Sequence, residues 1–368
     1  MKILLFGNTF EYFKSRKNLI KFLLDKKFEV YVCADADKLE SHLEEIGCKI
    51  LKFKIDKKGK NFFKELILLL KIFVTFKKVK PSLILNFTIK PVIYSSIASS
   101  FLNIPHINTM TGIGIYFFKK NLFNYFFKFL FSFSQKNVNK IFFQNEENKR
   151  FILSQIARRN IVSEVIPGSG VDIENYKSTF YPDEKIVNFL YFGRLLWDKG
   201  IGELIEAIKI LKQKNLIFKV TLVGPYDSEN IMAIGKKKLE EWVEKNYVTH
   251  FNYQENIKLY IEQAHCVVLP SYMEGLPRSL IESAAMSRPI ITTNTVGCKE
   301  VVQNKINGFL CNVKDSKDLA KKMADFINLN LSEKIKMGSE GRKIAEKKFN
   351  EKIVINKYFD AIESIIQK

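Results

Sequence analysis

Short apolar runs alternate with segments of helical periodicity along the first half of the chain. The runs predict β-strands at residues 2–6, 29–33, 82–86, 106–110, 140–144 and 162–166. The segments between them predict helices at 17–25, 62–76 and 91–101, where apolar residues recur every three or four positions. Strands that alternate with helices indicate a parallel sheet that is covered on both faces.

The alternation stops at the glycines of Gly168-Ser169-Gly170 and starts again after a polar stretch. Further strands are predicted at 187–192, 219–223, 267–269 and 289–292, and helices at 201–212, up to Trp242, and at 277–286. The pattern predicts an α/β protein with two doubly wound, Rossmann-like domains, residues 1–168 and 186–346, that face a cleft. Residues 169–185 are predicted as the linker. Ligands bind such sheets at the carboxyl ends of the strands, so residues that follow strands are the first candidates for chemistry.

The charge lies mostly in the first half of the chain. The formal net charge is +20, and residues 1–170 contribute 29 basic and 13 acidic side chains to it. No acidic residue occurs between Glu65 and Glu146. A helix-turn-helix, a zinc knuckle and an aromatic-basic RNA-binding motif are all absent from the sequence, which argues against a nucleic-acid partner.

Lysines interrupt the longest apolar stretches before they reach the length of a membrane span. The apolar run at the start is too short for the core of a secretory signal. The five cysteines are scattered without metal-type spacing, which predicts reduced, buried thiols in a cytosolic protein and no metal site.

An aromatic segment at 116–133 lies inside the stretch without acidic residues. Read as a helix, its polar residues form one stripe opposite a broad aromatic surface. The stripe consists of Asn121, Asn124, Lys128, Ser132 and Gln135. Such a helix can lie on an anionic membrane surface or pack against a sheet, and the surrounding lysines favour the membrane. The predicted membrane residues are Lys119, Lys120, Phe126, Phe127 and Lys128.

Two cations follow the predicted strand 187–192. Gly193 lets a ligand approach the backbone, and Arg194 and Lys199 offer a planar fork and a point charge to a diphosphate. The alternative is a solvated basic loop. The position at the end of a strand favours the diphosphate.

A second cluster follows the predicted strand 267–269. Pro277 suits the first turn of a helix, so Glu274 stands in the preceding loop and Glu282 lies along the helix. Gly275 and the free amides at the helix start suit negatively charged oxygen. The carboxylates suit hydrogen bonds from sugar hydroxyls. The alternative is that both are ordinary glutamates on a helix surface. Gly297 with Glu300, and Asn307 with Gly308, form two further glycine turns.

In this order the four clusters resemble the retaining glycosyltransferases of family 4, which adopt the two-domain GT-B fold. The first domain resembles the branch that acts on lipid-linked saccharides in bacterial glycan and polysaccharide assembly, in particular its N-acetylgalactosaminyltransferase type. The residues that carry this second resemblance are Asn8, Thr9, Arg16 and those at 86–91, 111–114, 143–145 and 168–172.

The resemblance implies roles for individual residues. The catalytic residues are Arg194 and Lys199, which hold the donor diphosphate, and Glu274, which contacts the transferred sugar. Glu282 takes the ribose hydroxyls and Glu300 orders the diphosphate loop. The other donor-binding residues are Gly193, Gly224, Gly275, Leu276, Pro277 and Gly297. The acceptor-side residues are Asn8, Arg16, Thr88, Lys90, Thr111, Gly112 and Gly114. Residues 347–368 correspond to the helix that crosses back onto the first domain.

The sequence departs from the family pattern at three points. Gly224-Pro225 lacks the fuller glycine pattern of other members. Thr111 precedes Gly112 where many members have a histidine, so no catalytic histidine is carried over. Cys298 follows Gly297 where a second glycine is usual.

The activity implied is transfer of a hexose or N-acetylhexosamine from a nucleotide diphosphate sugar, with UDP favoured. The acceptor is a polyprenyl-diphosphate-linked saccharide, the anomeric configuration is retained, and neither a metal ion nor another cofactor is required. The expected location is peripheral, on the cytoplasmic face of the inner (plasma) membrane. A sugar-nucleotide epimerase of the same fold and a non-catalytic nucleotide-sugar-binding subunit are the alternatives.

Overall fold

The computed structural model describes residues 1–35, 40–55, 62–113, 117, 122–158, 160–226, 230 and 232–367. The chain forms two compact units, the first made of Met1–Ser169 with Ile353–Lys368 and the second of Gly170–Lys352. The stretch predicted as a linker falls within the second unit from Gly170 onward. Val171 and Ile173 in this stretch are buried in the core of that unit.

The first unit is built on a parallel sheet of seven strands. They are β1 (Lys2–Thr9), β2 (Glu29–Asp35), β3 (Lys49–Lys52), β4 (Leu83–Phe87), β5 (His106–Met110), β6 (Lys140–Phe143) and β7 (Ser163–Val165). Their order across the sheet is β3-β2-β1-β4-β5-β6-β7. The direction of the chain across the sheet reverses between β1 and β4, which is where such sheets bind ligands.

Helices cover both faces of this sheet. They are α1 (Lys17–Asp25), α2 (Glu40–Glu45), α3 (Phe62–Val79), α4 (Ile89–Phe101), α5 (Leu122–Ser134) and α6 (Glu146–Ser154). Alternate residues of β1 enter different cores, because successive side chains of a strand point to opposite faces. Leu5 joins the core that contains α1 and α2, whereas Leu4 joins the core on the side of α3.

The second unit contains a parallel sheet of six strands. They are β8 (Val187–Phe192), β9 (Phe218–Val223), β10 (Thr249–Phe251), β11 (Cys266–Leu269), β12 (Ile290–Thr293) and β13 (Gly308–Cys311). The order is β10-β9-β8-β11-β12-β13, so the reversal lies between β8 and β11. The helices of this part are α7 (Ile201–Gln213), α8 (Lys236–Glu244), α9 (Lys258–Glu262), α10 (Arg278–Ala285), α11 (Ser316–Asn328) and α12 (Leu331–Ile344).

The last helix, α13 (Glu351–Ile366), packs into the first unit. Val354, Ile355 and Tyr358 are buried in its core, and the Tyr358 hydroxyl lies 2.6 Å from Oγ1 of Thr109 on β5. This confirms the C-terminal crossover helix and, with the two parallel sheets, the predicted two-domain α/β architecture.

The polar stripe of α5 does not face solvent along its whole length. Asn124 and Gln135 are buried, whereas Phe126 and Phe129 are 51% and 67% exposed. The aromatic surface is therefore divided, because Phe131 is buried in the core. We call the exposed part, which consists of Tyr125, Phe126, Phe129 and Phe133, the α5 aromatic face.

Buried amides explain this orientation. Gln135 accepts a hydrogen bond from Asn108 at 2.7 Å, and Asn108 accepts one from Asn86 at 2.9 Å. Asn108 also donates to Ser96 on α4 at 2.9 Å. A buried amide is costly without partners, so this network holds the polar end of α5 inward and leaves the opposite aromatic positions exposed.

All five cysteines are buried and free, as the sequence predicts. Burial raises the pKa of Cys298 to about 12, so its thiol stays protonated at neutral pH. Among the described residues, no helix combines the length and the apolar character that crossing a bilayer requires.

His106, at the start of β5, makes the stability of the first unit dependent on pH. Burial lowers the pKa of its ring to about 4, although a bond to the Ile104 carbonyl opposes the shift. In the unfolded chain the ring has the ordinary histidine pKa of about 6.5. The stability that depends on the neutral, buried ring is therefore complete above about pH 6.5 and is lost as the pH falls toward about 4. We expect the free energy of unfolding to drop by about 2 kcal/mol more in the unmodified chain than in His106→Gln between pH 7 and about pH 5. Urea titrations at both pH values measure this difference, and equal drops in the two proteins contradict it.

Candidate active site

Two glycines shape the carboxyl ends of β8 and β9. The amide of Gly193 donates to the Val223 carbonyl at 2.9 Å, and a Cβ on Gly224 would lie 1.9 Å from the Gly193 oxygen. Gly193 is exposed and has a φ of +143°, a conformation that favours glycine. At the ends of the two strands, beside the reversal point of the sheet, the backbone is therefore not covered by side chains of these two residues.

The loop after β8 presents Arg194 and Lys199. The Arg194 side chain is exposed and makes no hydrogen bond or ion pair with a described residue. Lys199 ends a 3-10 turn that begins at Trp197. The next residue, Gly200, has a φ of +72°, and a Cβ there would lie 2.0 Å from the Pro270 oxygen. This close approach fixes the loop against the end of β11.

Lys199 and Glu274 form an ion pair although they are 75 residues apart in the sequence. The ammonium lies 2.5 Å from Oε1 of Glu274, and the two side chains are only 15% and 16% exposed. Sequence analysis assigned these side chains to separate parts of a donor. The structure brings them together at the reversal point between β8 and β11.

The loops after β8, β11 and β12 are held together by backbone contacts. The amide of Tyr272 donates to the Asp198 carbonyl at 3.0 Å, and that of Glu274 donates to the Val296 carbonyl at 3.2 Å. A Cβ on Gly297 would lie 2.6 Å from the Glu274 oxygen, and its φ is +83°. The position of Glu274 thus depends on residue 297 being a glycine.

Helix α10 starts directly after this loop. Pro277 occupies the N-cap position, one residue earlier than the predicted first turn, and no side-chain cap bonds the first amides. Unbonded amides at a helix start carry partial positive charge and suit an anion. Gly275 and the buried Leu276 lead into this turn.

Glu282 lies one turn into α10 and is only 6% exposed. Its Oε1 accepts from Nε of Arg278 at 2.9 Å. Burial raises the pKa of Tyr176, and the negative charge of Glu282 beside it raises that pKa further. The carboxylate predicted for ribose hydroxyls is therefore held by protein partners.

The remaining residues of the second unit divide into exposed and structural ones. Glu300 is exposed at the end of the turn after Gly297. Asn307 is fully buried and donates to the Val301 carbonyl at 3.0 Å, so it stabilises a turn. No group of three or more His, Cys, Asp or Glu side chains in the described part of the chain is placed to hold a metal ion.

Tyr191 is a residue that sequence analysis missed. Its buried hydroxyl donates to the Arg194 carbonyl at 2.7 Å and so holds the start of the loop that carries Arg194 and Lys199. Burial raises the pKa of this hydroxyl, and the nearby charge of Glu274 raises it further. Tyr191 lies within an apolar strand, and nothing in the sequence pattern separates it from core residues.

In the first unit, Arg16 is a buried cation near the reversal point between β1 and β4. It is 6% exposed, its guanidinium lies 4.1 Å from the centre of the Tyr12 ring and 4.9 Å from that of Phe87, and Nη1 donates to Ser15 at 2.9 Å. No described carboxylate pairs with it, and its Nε has no hydrogen-bond partner among described residues. Stacking on aromatic rings compensates only part of the cost of burying such a charge.

The other predicted acceptor-side residues are distributed around the carboxyl edge of the same sheet. Thr88 follows β4 with a φ of +66°, which is rare for a β-branched residue, and Asn8 has an unbonded Oδ1 among the described residues. Lys90 is paired with Glu65 of α3 at 2.5 Å. Thr111 and Gly112 follow β5, and nothing lies within 4 Å of a Cβ built on Gly112.

Some predicted residues cannot be located. Gly114, Lys119 and Lys120 lie outside the described residues. Phe127 is half-buried with its ring 5.3 Å from that of Phe117, whereas Phe126 and Lys128 lie on α5 with partly or largely exposed side chains.

Two family models match separate parts of the chain. Residues 172–344 match the family model described as glycosyl transferases group 1, and residues 2–145 match the model described as glycosyl transferase 4-like.

Two curated relatives span nearly the whole chain. The N,N'-diacetylbacillosaminyl-diphospho-undecaprenol alpha-1,3-N-acetylgalactosaminyltransferase of Campylobacter jejuni is 25% identical over 96% of this chain and 95% of its own. The capsular polysaccharide biosynthesis glycosyltransferase CapM of Staphylococcus aureus is 28% identical over 91% of this chain and 90% of its own.

Among solved structures, Anabaena HepE in complex with UDP superimposes with a TM-score of 0.79 at 20% identity, covering 99% of this chain and 100% of HepE. This likeness establishes the fold. The two family models together span most of the chain and show that it belongs to the glycosyltransferases of family 4, and the likeness to HepE shows the two-domain GT-B fold.

Proposed function

We propose that the chain transfers a hexose or N-acetylhexosamine from a UDP-sugar to a polyprenyl-diphosphate-linked saccharide, with retention of anomeric configuration. The observation that carries the proposal is the Lys199–Glu274 pair beside the exposed Arg194, at the reversal point of the second sheet. The bound UDP of HepE and the lipid-linked substrate in the name of the Campylobacter relative support the choice of donor and acceptor class.

In the proposed reaction, the bond between the anomeric carbon and the β-phosphate oxygen breaks while the acceptor oxygen forms a bond to the same face of that carbon. Negative charge develops on the leaving UDP. Arg194, Lys199 and the first amides of α10 stabilise it, so the proposal assigns no step to a metal ion. The proton of the acceptor hydroxyl passes to the leaving phosphate oxygen, which makes a protein base unnecessary.

The glutamates have separate roles in this proposal. Glu274 orients the Lys199 ammonium and accepts hydrogen bonds from the transferred sugar, since its carboxylate has a second oxygen beside the paired one. Glu282 is turned toward Arg278, and a bound ribose has to share that carboxylate. On the acceptor side, Arg16 supplies positive charge for an anionic substrate.

The test of this function is a transfer assay with labelled UDP-sugars and a lipid extract that contains polyprenyl-diphosphate saccharides, in the presence of a chelator. We expect label from one sugar to enter the organic phase. Conversion of the donor into an epimeric UDP-sugar without lipid identifies an epimerase, and donor binding without turnover identifies a binding subunit. Either result rejects the proposed transfer.

The proposal places the protein peripherally on the cytoplasmic face of the plasma membrane, with the α5 aromatic face against the lipid. Aromatic rings prefer the headgroup region of a bilayer, and the lysines of the first half favour anionic lipid. The exposed rings of Phe126 and Phe129 support this placement.

Replacing both rings, as Phe126→Gln with Phe129→Gln, is expected to weaken binding to phosphatidylglycerol vesicles at least about tenfold, because burial of two half-exposed rings is lost. Vesicle flotation measures the effect. Phe180→Gln is the matched control, since Phe180 is fully exposed on the second unit. Equal binding of the double variant and the control contradicts the placement of α5.

A further inference from the structure

Helix α3 presents a second apolar surface that the proposed function does not use. Phe63, Leu66, Ile67, Leu70 and Val74 recur at helical spacing, and each of them is more than 40% exposed. The opposite side of the helix is also apolar, with Leu68, Ile72, Phe76 and Val79 buried in the core. A surface helix that is apolar on both sides marks an interaction site.

A groove of about 440 Å³ lies between α3 and the residues at the end of β3. Its apolar lining is formed by Leu51, Phe53, Ile67, Leu70 and Val74, with Thr75. This volume is in the range of small-molecule and lipid sites.

Three lysines complete the lining of the groove. Lys52 and Lys54 come from the end of β3, Lys71 comes from α3, and all three are exposed. Among the described residues that line the groove, none is acidic. The combination of an apolar floor and a cationic rim matches a ligand with a hydrocarbon part and a negatively charged head.

We propose that this groove binds an anionic phospholipid, with an acyl chain along Leu70 and Val74 and the phosphate among the three lysines. The proposal rests on the proposed membrane association and adds a lipid site to it. Helix α4 packs against both α3 and α5, so the groove belongs to the same helical layer as the α5 aromatic face. A second copy of the chain is a poorer occupant, because a two-fold contact would bring the same lysines against one another.

The test uses the full chain with phosphatidylglycerol vesicles and with neutral phosphatidylcholine vesicles. Leu70→Glu with Val74→Glu places two charges at positions that are 56% and 64% exposed, so the fold is preserved. We expect binding to phosphatidylglycerol to weaken at least about tenfold. The matched control is Ile217→Glu on the second unit, where the side chain is 74% exposed. Thermal unfolding of each variant confirms that it is folded.

The lysines are tested by Lys52→Gln, Lys54→Gln and Lys71→Gln together. We expect a loss of about tenfold or more on phosphatidylglycerol and no change on phosphatidylcholine, because only the anionic head contacts the rim. A tryptophan introduced as Leu70→Trp is expected to be quenched by phosphatidylglycerol brominated on its acyl chains, beyond the quenching of the unmodified chain.

Each contrary result rejects the groove as a lipid site. Unchanged binding of the α3 variants alongside lost binding of the α5 variant overturns the lipid site and leaves the placement of α5 intact. Normal binding of both sets rejects both surfaces as the sites of membrane contact, and no binding of the unmodified chain to either kind of vesicle rejects membrane association. A change in oligomeric state on Leu70→Glu with Val74→Glu, seen by light scattering without lipid, assigns the surface to a second copy instead.

Discussion

Lys199→Ala is expected to lower the rate of sugar transfer by about 10²–10³-fold, the usual effect of removing one preorganised donor from a site of developing negative charge. Lys199 is held 2.5 Å from Glu274 and is mostly buried, so its ammonium is in place before the donor binds. The loss is expected in kcat more than in KM, because the charge on the leaving UDP develops only in the transition state. Steady-state kinetics with labelled donor measures both constants.

The control for this variant is Lys209→Ala. Lys209 also pairs with a glutamate, Glu206, at 2.7 Å, but on the exposed side of α7. Exposed pairs contribute little to stability, and this one lies away from the loop of Lys199. We expect Lys209→Ala to retain normal turnover. Near-normal turnover of Lys199→Ala removes the basis for the donor site.

Arg194→Ala is expected to have a comparable effect of about hundredfold on transfer, with almost no effect on stability. The Arg194 side chain is exposed and bonds no described residue, and the carbonyl that accepts from Tyr191 is kept in the alanine variant. Surface substitutions of this kind usually change the free energy of unfolding by less than about 0.5 kcal/mol. Transfer kinetics and urea unfolding of the same variant test the two halves of the expectation.

A matched arginine is available on α6, where Arg150 is also exposed. Arg150→Ala removes the same group from the first unit and is expected to transfer sugar at the normal rate. If Arg194→Ala is destabilised but active, the residue supports the loop and has no role toward the diphosphate.

Most of the architecture followed from periodicity because both sheets are parallel and buried. Helix α1 has the predicted bounds, and the strands that lie inside the sheets were predicted as continuous apolar runs. Strands β3, β10 and β13 were missed, since each lies at an edge of its sheet and has at most four residues. Helices α11 and α12 were missed, since they follow one another directly with no strand between them to continue the alternation.

The sequence predicted which residues form the site, but it did not predict most of the contacts among them. A glycine or cation that follows a strand can be read from the sequence, since the fold fixes which edge it reaches. The pairing of Lys199 with Glu274 depends on how the loops after two different strands pack against one another. Arg278 and Glu282 lie four residues apart on α10, so helical spacing alone could have predicted their pairing. The role of Tyr191 and the burial of Arg16 also depend on tertiary packing and could not be predicted from the sequence pattern.

The orientation of α5 shows why a hydrophobic pattern alone is insufficient there. Asn124 and Gln135 read as a solvent-facing stripe, yet both are buried. Asn108 on β5 donates to Gln135, and Asn86 on β4 donates to Asn108. Both come from other segments, and each reads as an ordinary strand residue on its own.

The central claim is that side-chain cations at the β8–β11 reversal neutralise the leaving UDP. A crystal structure of the chain with UDP, grown with a chelator present, tests this most directly. We expect phosphate oxygens within hydrogen-bond distance of the Arg194 guanidinium and the Lys199 ammonium. UDP bound elsewhere, or bound only when a divalent metal is restored, contradicts it.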